Sequence, residues 1–252
     1  MLRLMRIPLL FRRAPQPDRI TVAHAGTRYE VALKRSARAR RLTLRVSSAT
    51  GEVVATVPQS VAHQAVTRFV EAHAGWIATR VAKLPERVAF VAGALVPVRG
   101  VPHRIVHVAG PRAPVRVNTD ETGAPVLLVA CDPLVVQSRV RDFLRREATR
   151  DLAEAVARHT ARLGIPARKI TLRDTRSRWG SCSAKGHLSF SWRLIMAPAF
   201  VLDYLAAHEV AHLKEMNHSH RFWRLAESLC PRLKEAEAWL TRHGAELYRY
   251  GA

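Results

Sequence analysis

The stretch that decides the reading of this chain is AAHEVAHLKEMNHSHRFW, from Ala206 to Trp223. It gathers four of the chain's twelve histidines, with a glutamate beside the first. Pro198 precedes it, and proline favours the first position of a helix. Val201, Leu202 and Leu205 follow at helical spacing, so a helix is expected to run through the histidines. Residues four apart lie on one helix face, a turn apart. His208 and His212 are so placed, and both imidazoles can reach a single ion at about 2.0–2.1 Å. Glu209 stands next to His208. In the HExxH arrangement this glutamate does not bind the metal; it takes a proton from the attacking water.

Zinc in a hydrolytic site takes three protein ligands and leaves a fourth position open. His218, ten residues after His208, serves as the third if the helix stops in time. Asn217 is the expected stop, because asparagine tolerates the left-handed conformation that ends helices. Ser219 would cap the next helix. Two rivals for the third position stay open: His220, close by, and Glu227, on the following helix. Phe222 and Trp223 read as core side chains behind the site.

Upstream, residues 19 to 57 alternate at period two around turns at Gly26 and Gly51, which predicts a β-meander. Its Arg35, Arg38, Arg40 and Arg41 run reads as a solvated loop or sheet edge. A helix capped by Ser60 is expected to carry Val66, Phe69, Val70, Trp76, Ile77 and Val81 as far as Pro85. Residues 88 to 129 are strand-like again. A second helix, from about Pro133 to Leu163, should end at Gly164. Then come a strand at RKITLRD and a hairpin, RWGSCS and HLSFSWRLIM joined at AKG. Two helices close the chain, about Ser219–Ser228 and Arg232–Tyr248. No internal repeat is evident. The domains expected are a basic tail over 1–18, disordered or loosely docked, a β-rich region with one helix over 19–130, and the histidine-bearing domain over 131–252.

The 252 residues can bury a substantial core, and 48% apolar with 24% charged residues fits a globular protein. No window approaches the roughly twenty apolar residues of a membrane span. Three scattered cysteines, Cys131, Cys182 and Cys230, lack paired metal spacing and fit a reducing compartment, the cytoplasm. The net charge of +21 attracts anions, which names nucleic acid or a nucleotide as a candidate partner. Nothing in the sequence sets the oligomeric state.

WGSCS, then LSFSWRLIMAP, then LDYLAAHEVAHLKEMNHSHRFW resembles the YgjP-like metallopeptidases, which are related to the SprT-like zinc proteases. The resemblance takes in most of the chain, and is most specific from Trp179 to Trp223. It implies an α+β fold: a β-rich N-terminal region, then a compact zincin-like domain with a small antiparallel sheet and an active-site helix. It further implies one zinc ion on His208, His212 and His218, Glu209 as the catalytic base, a peptide or protein substrate, and an RWGSCS strand flanking the cleft. Candidate substrate or oxyanion contacts are Arg178, Trp179, Gly180, Ser181 and His220, with His187 a further oxyanion candidate. Two other readings compete: hydrolysis of a nucleotide phosphoanhydride at the same metal, and a non-enzymatic basic protein that binds nucleic acid. In the latter, Cys182 or Cys230 would close a structural zinc site.

Overall fold

The computed structural model describes residues 18–47, 50–84, 86–175 and 178–251. All of the expected tail but Asp18 therefore lies outside the described residues. The chain divides into two compact units after Leu84, well before the boundary expected near residue 130. The reason is burial. Val96, Val98, Ile105, Leu127 and Val129 of the 88–130 strands share one core with Leu144, Leu152, Val201 and Val210 of the later helices.

In the first unit, β1 (Arg19–His24), β2 (Thr27–Ser36), β3 (Thr43–Val46) and β4 (Val53–Pro58) form a sheet of order β1-β2-β4-β3. This is not the expected meander. β2 and β4 run parallel, and β3 is antiparallel at the edge. Alternation reports which face a residue takes, not which strand it lies beside. The face assignments do hold: Ile20, Val22, Val31, Val53, Ala55 and Val57 are buried against Val66, Val70 and Ile77. Those last three lie on two helices rather than one, α1 (His63–Ala72) and α2 (Ala74–Ala82), broken at His73. Ala62, not Ser60, is the N-cap.

In the second unit, β5 (Leu95–Val98), β6 (Val101–Val108), β7 (Arg116–Thr119) and β8 (Pro125–Ala130) repeat that strand order as β5-β6-β8-β7, again with the middle pair parallel. Both hairpins turn on two residues of positive φ, Ala25–Gly26 and Arg99–Gly100, the tight turn whose twist matches that of the strands. The recurrence lies in topology, where the sequence shows no repeat. A helix α3 (Val136–Leu163) follows, ending at Gly164 with φ 74° as expected.

Next come β9 (Lys169–Arg173), β10 (Gly180–Cys182) and β11 (His187–Ser191), in the order β10-β11-β9. The hairpin β10–β11 is antiparallel as expected, but β9 joins in parallel, so the sheet is mixed. Strand character stops at Ser191, and Trp192–Met196 is a 3-10 turn with every side chain buried. Helix α4 (Ala199–Ala211) follows Pro198 and packs along α3. Nine of its thirteen residues are buried, the mark of a helix enclosed on nearly all sides. Helices α5 (His220–Leu229) and α6 (Leu233–His243) complete an α+β architecture.

Candidate metal centre

α4 carries His208 and Glu209 in its last turn, and His212 is its C-cap. The helix thus ends five residues before Asn217. Asn217 is not left-handed: among the described residues only Ala25 and Arg99 are non-glycines with positive φ. The end is made instead by the amides of Lys214 and Glu215, which both donate to the Ala211 carbonyl at 3.1 and 3.0 Å. The chain then returns through His218. Ser219 caps α5 as expected, its hydroxyl accepting from the Phe222 amide at 3.4 Å.

One donor atom from each of His208, His212 and His218 lies within 4.8 Å of the other two, and among the described residues this is the group able to hold a metal. The Nε2 atoms of His208 and His218 are 3.1 Å apart. Two nitrogens on one tetrahedral ion with bonds near 2.0–2.1 Å would stand about 3.3 Å apart. His220, the exposed first residue of α5, and the half-exposed Glu227 lie outside the group.

Two of the three histidines have a partner on the second ring nitrogen, the arrangement that orients an imidazole toward a metal. The His212 Nδ1 lies 3.0 Å from the Glu215 carbonyl. A carbonyl only accepts, so Nδ1 carries the proton and Nε2 is left as a donor atom for a metal. The Tyr204 hydroxyl donates to Glu237 at 3.0 Å, and its oxygen faces His208 Nδ1 at 3.4 Å. Sequence reasoning missed this Tyr204–Glu237 pair. The four-residue step from Tyr204 to His208 was a usable signal, whereas nothing marked Glu237 on α6. Phe222, fully buried, is the floor: its ring centroid lies 4.9, 4.4 and 4.7 Å from those of His208, His212 and His218.

Burial sets the charge state. Desolvation, then the neighbouring His212 and His218, pushes His208 down to about 4, and burial also lowers His212. Both are therefore neutral near pH 7, the form that binds a metal. Glu209 is 4% exposed, and its Oε2 has no hydrogen-bond partner. Desolvation pushes its carboxyl up to about 7, against the opposing charge of Arg178. A proton acceptor with a pKa near the working pH suits general-base chemistry.

β10 lies directly against this glutamate. A Cβ at Gly180 would sit 2.8 Å from both Cγ and Cδ of Glu209, so no side chain fits there. Ser181 pairs with Ser189 of β11, leaving β10 as the edge of its sheet. Trp179 stacks on Tyr248 at 4.9 Å, and its carbonyl accepts from the Ser191 amide. Cys182 on the same strand is a half-buried free thiol, pushed up to about 11 by burial and by the charge of Glu209. It is no part of the histidine group, nor is the buried Cys230. His187 opens β11, exposed.

Comparison with curated proteins finds no match. Among solved structures, the chain is similar to the metallopeptidase zymogen abylysin of Pyrococcus abyssi, at 24% identity, over 36% of this chain and 93% of that one, with a TM-score of 0.34. The YgjP-like metallopeptidase domain matches residues 40–243, a span that takes in β3, β4 and the two helices of the first unit as well as the histidine group. The chain belongs to the YgjP-like metallopeptidase family, which implies a metal and a peptide or protein substrate.

Proposed function

We propose that the chain is a zinc-dependent peptidase of the HExxH type, with His208, His212 and His218 holding the metal and Glu209 as general base. The observation that carries this reading is Glu209 itself. It is a buried carboxylate with one unpartnered oxygen, beside three imidazoles close enough to share one ion, of which His208 and His212 are kept neutral by burial. Three imidazoles suit zinc. The chemistry a zinc ion supplies when bound is Lewis acidity, which acidifies water and polarises a carbonyl. Glu209 accepts the proton of the attacking water at Oε2 and delivers it to the departing amine. The free edge of β10 receives an extended peptide by strand addition, and Gly180 lets that strand reach Glu209. Arg178, whose charge already reaches Glu209, and His220 are the candidates to stabilise developing negative charge.

Peptide hydrolysis is favoured over phosphoanhydride hydrolysis at this site. Phosphoryl transfer commonly calls for a second metal, and among the described residues no second group able to hold one stands beside the three histidines. A structural zinc site would need a fourth protein ligand, and no cysteine joins them. The three free thiols fit work in a reducing compartment, the cytoplasm.

The test is elemental mass spectrometry of wild type and His218→Ala, together with casein cleavage by wild type and Glu209→Gln. Stoichiometric zinc in the wild type, largely lost from His218→Ala, is the expected result. Glu209→Gln should keep zinc and lose activity by about 10²–10⁴-fold. Zinc retained by His218→Ala would move the third ligand elsewhere. A wild type that takes up no metal when zinc is supplied would sink the reading.

A further inference from the structure

Basic residues are not shared evenly along the chain. Residues 1–84 hold fifteen Lys and Arg against four acidic residues, whereas residues 85–252 hold 26 against sixteen. Between Glu30 and Glu52 stand six basic residues and no acidic one: Lys34, Arg35, Arg38, Arg40, Arg41 and Arg45. The fold turns Arg35 to a structural task, donating to the carbonyls of Pro58 and Val61 at 3.5 and 3.0 Å. The other five are exposed at one corner of the first sheet, where β2 hands over to β3.

The sheet face next to that corner is open. α1 and α2 cover the face that carries Val31 and Ala55, and the residues between those on each strand point the other way. Register brings Arg19, Ala32, Val54 and Arg45 into one row across all four strands, with Lys34, Thr56 and Thr43 in the next. In the first row small residues hold the middle and basic ones the margins, and in the second Lys34 adds a cation on β2. Arg19 is paired with Glu30. Arg28, Lys34 and Arg45 form no ion pair among the described residues. Tyr29 belongs to the helix-covered face, so the open face offers no aromatic platform on which an unpaired base could stack.

We propose that this face and its arginine corner dock duplex nucleic acid through the phosphate backbone. Three strand spacings separate Arg19 from Arg45, about 14 Å, and duplex DNA presents roughly eight charges over that length. The basic side chains are comparable in number, and the small residues on the middle strands let the backbone come close. Contacts to phosphates without base edges give binding that is salt-dependent and indifferent to sequence. The proposal is independent of the peptidase reading.

The test is fluorescence anisotropy of the full chain with a labelled DNA duplex of about 20 base pairs, titrated across a salt series. About five phosphate contacts should give a slope of log K on log salt near −4 to −5. Arg38→Glu/Arg41→Glu/Arg45→Glu should lose at least about tenfold in affinity and flatten the slope by about three. The neutral triple Arg38→Gln/Arg41→Gln/Arg45→Gln should lose less, in the same direction, and circular dichroism should show all variants folded. Arg145→Glu/Arg146→Glu/Arg224→Glu, which makes the same charge change on exposed positions of the second unit, should stay close to wild type. Equal losses in both triple-Glu variants would overturn the proposal, as diffuse charge would then explain binding. So would a wild type that ignores the duplex, or one that binds phosphatidylserine vesicles instead.

Discussion

The two four-stranded sheets share a strand order and a hairpin turn, yet they handle charge in opposite ways. The first turns on Ala25–Gly26, and Ala25 carries no charged group. The second turns on Arg99–Gly100, and the Arg99 guanidinium reaches Asp151 at 2.7 Å and Glu147 at 2.8 Å on α3. Several charges of the second unit are matched in the same way: Arg158 and His159 share Asp203, and the buried Arg193 meets Asp174. Charge in the first unit is carried outward on an open face. One topology therefore serves two purposes. In the first unit it displays cations. In the second it braces α3, which packs along the helix that carries the histidines.

The contrast breaks first at Arg193, where the largest effect is expected. Its side chain donates to Asp174 at 2.8 Å and to the Leu247 and Tyr250 carbonyls at 3.2 and 2.7 Å, and it lies 4.6 Å over the Trp192 ring. It ties the C-terminal segment to the buried 3-10 turn. Arg193→Met keeps the volume and strands those acceptors. A loss of about 3–5 kcal/mol is expected from breaking a buried charged network. Arg28→Met, on the open face of the first sheet, should change stability by no more than about 0.5 kcal/mol. Guanidinium unfolding measures both, and similar losses would erase the inward–outward distinction.

Glu209 is the next test, because it is the inward charge that has no partner. Its carboxyl in the folded, metal-free protein is raised to about 7 from an ordinary 4.5. A raised acid favours the fold while protonated. The stabilisation is complete below about pH 4.5 and fades as pH rises toward 7. The difference corresponds to about 3 kcal/mol, at 1.36 kcal/mol per pH unit. Chelated wild type should therefore lose stability relative to Glu209→Gln between pH 4.5 and 7, and the gap should level off above that. A gap independent of pH would mean that the carboxylate is better solvated than its burial indicates.

That the three histidines come together was legible because the logic is local. A four-residue step on one helix places His208 with His212, and a serine cap places His218. The α+β class and the inward faces of most strands were legible for the same reason, since period two and period 3.6 are visible in a short window. What escaped was everything set by distant partners. No window shows that β4 slots between β2 and β3, that Glu237 answers Tyr204 across 33 positions, or that Arg193 turns inward rather than out. Even the helix stop went wrong by a few residues. Asn217 offered a local reason to end α4, but the turn at Ala211–Glu215 had already closed it. The expected domain boundary near residue 130 missed the same kind of fact, since the 88–130 strands look like those before them and differ only in what they pack against.

The finest test of the two-sheet comparison lies in the turn glycines, where the backbone is the same and only the surroundings differ. Gly26 and Gly100 have φ of 80° and 82°. Alanine at either position costs about 1–2 kcal/mol for a left-handed conformation, and that cost cancels between them. Beyond it, a Cβ at Gly26 would meet nothing within 4 Å, whereas at Gly100 it would press on Cα and Cγ of Pro198 at 3.0 Å. Pro198 is the residue that opens α4, so it has little freedom to yield. Gly100→Ala should therefore exceed Gly26→Ala by about 1–3 kcal/mol, the usual range for overpacking, and the excess should also disturb the helix that bears His208. Metal affinity measured alongside stability separates the two effects. If the two alanine variants unfold alike and bind metal alike, then the second sheet does not brace the start of α4, and its shared topology with the first carries no such difference in use.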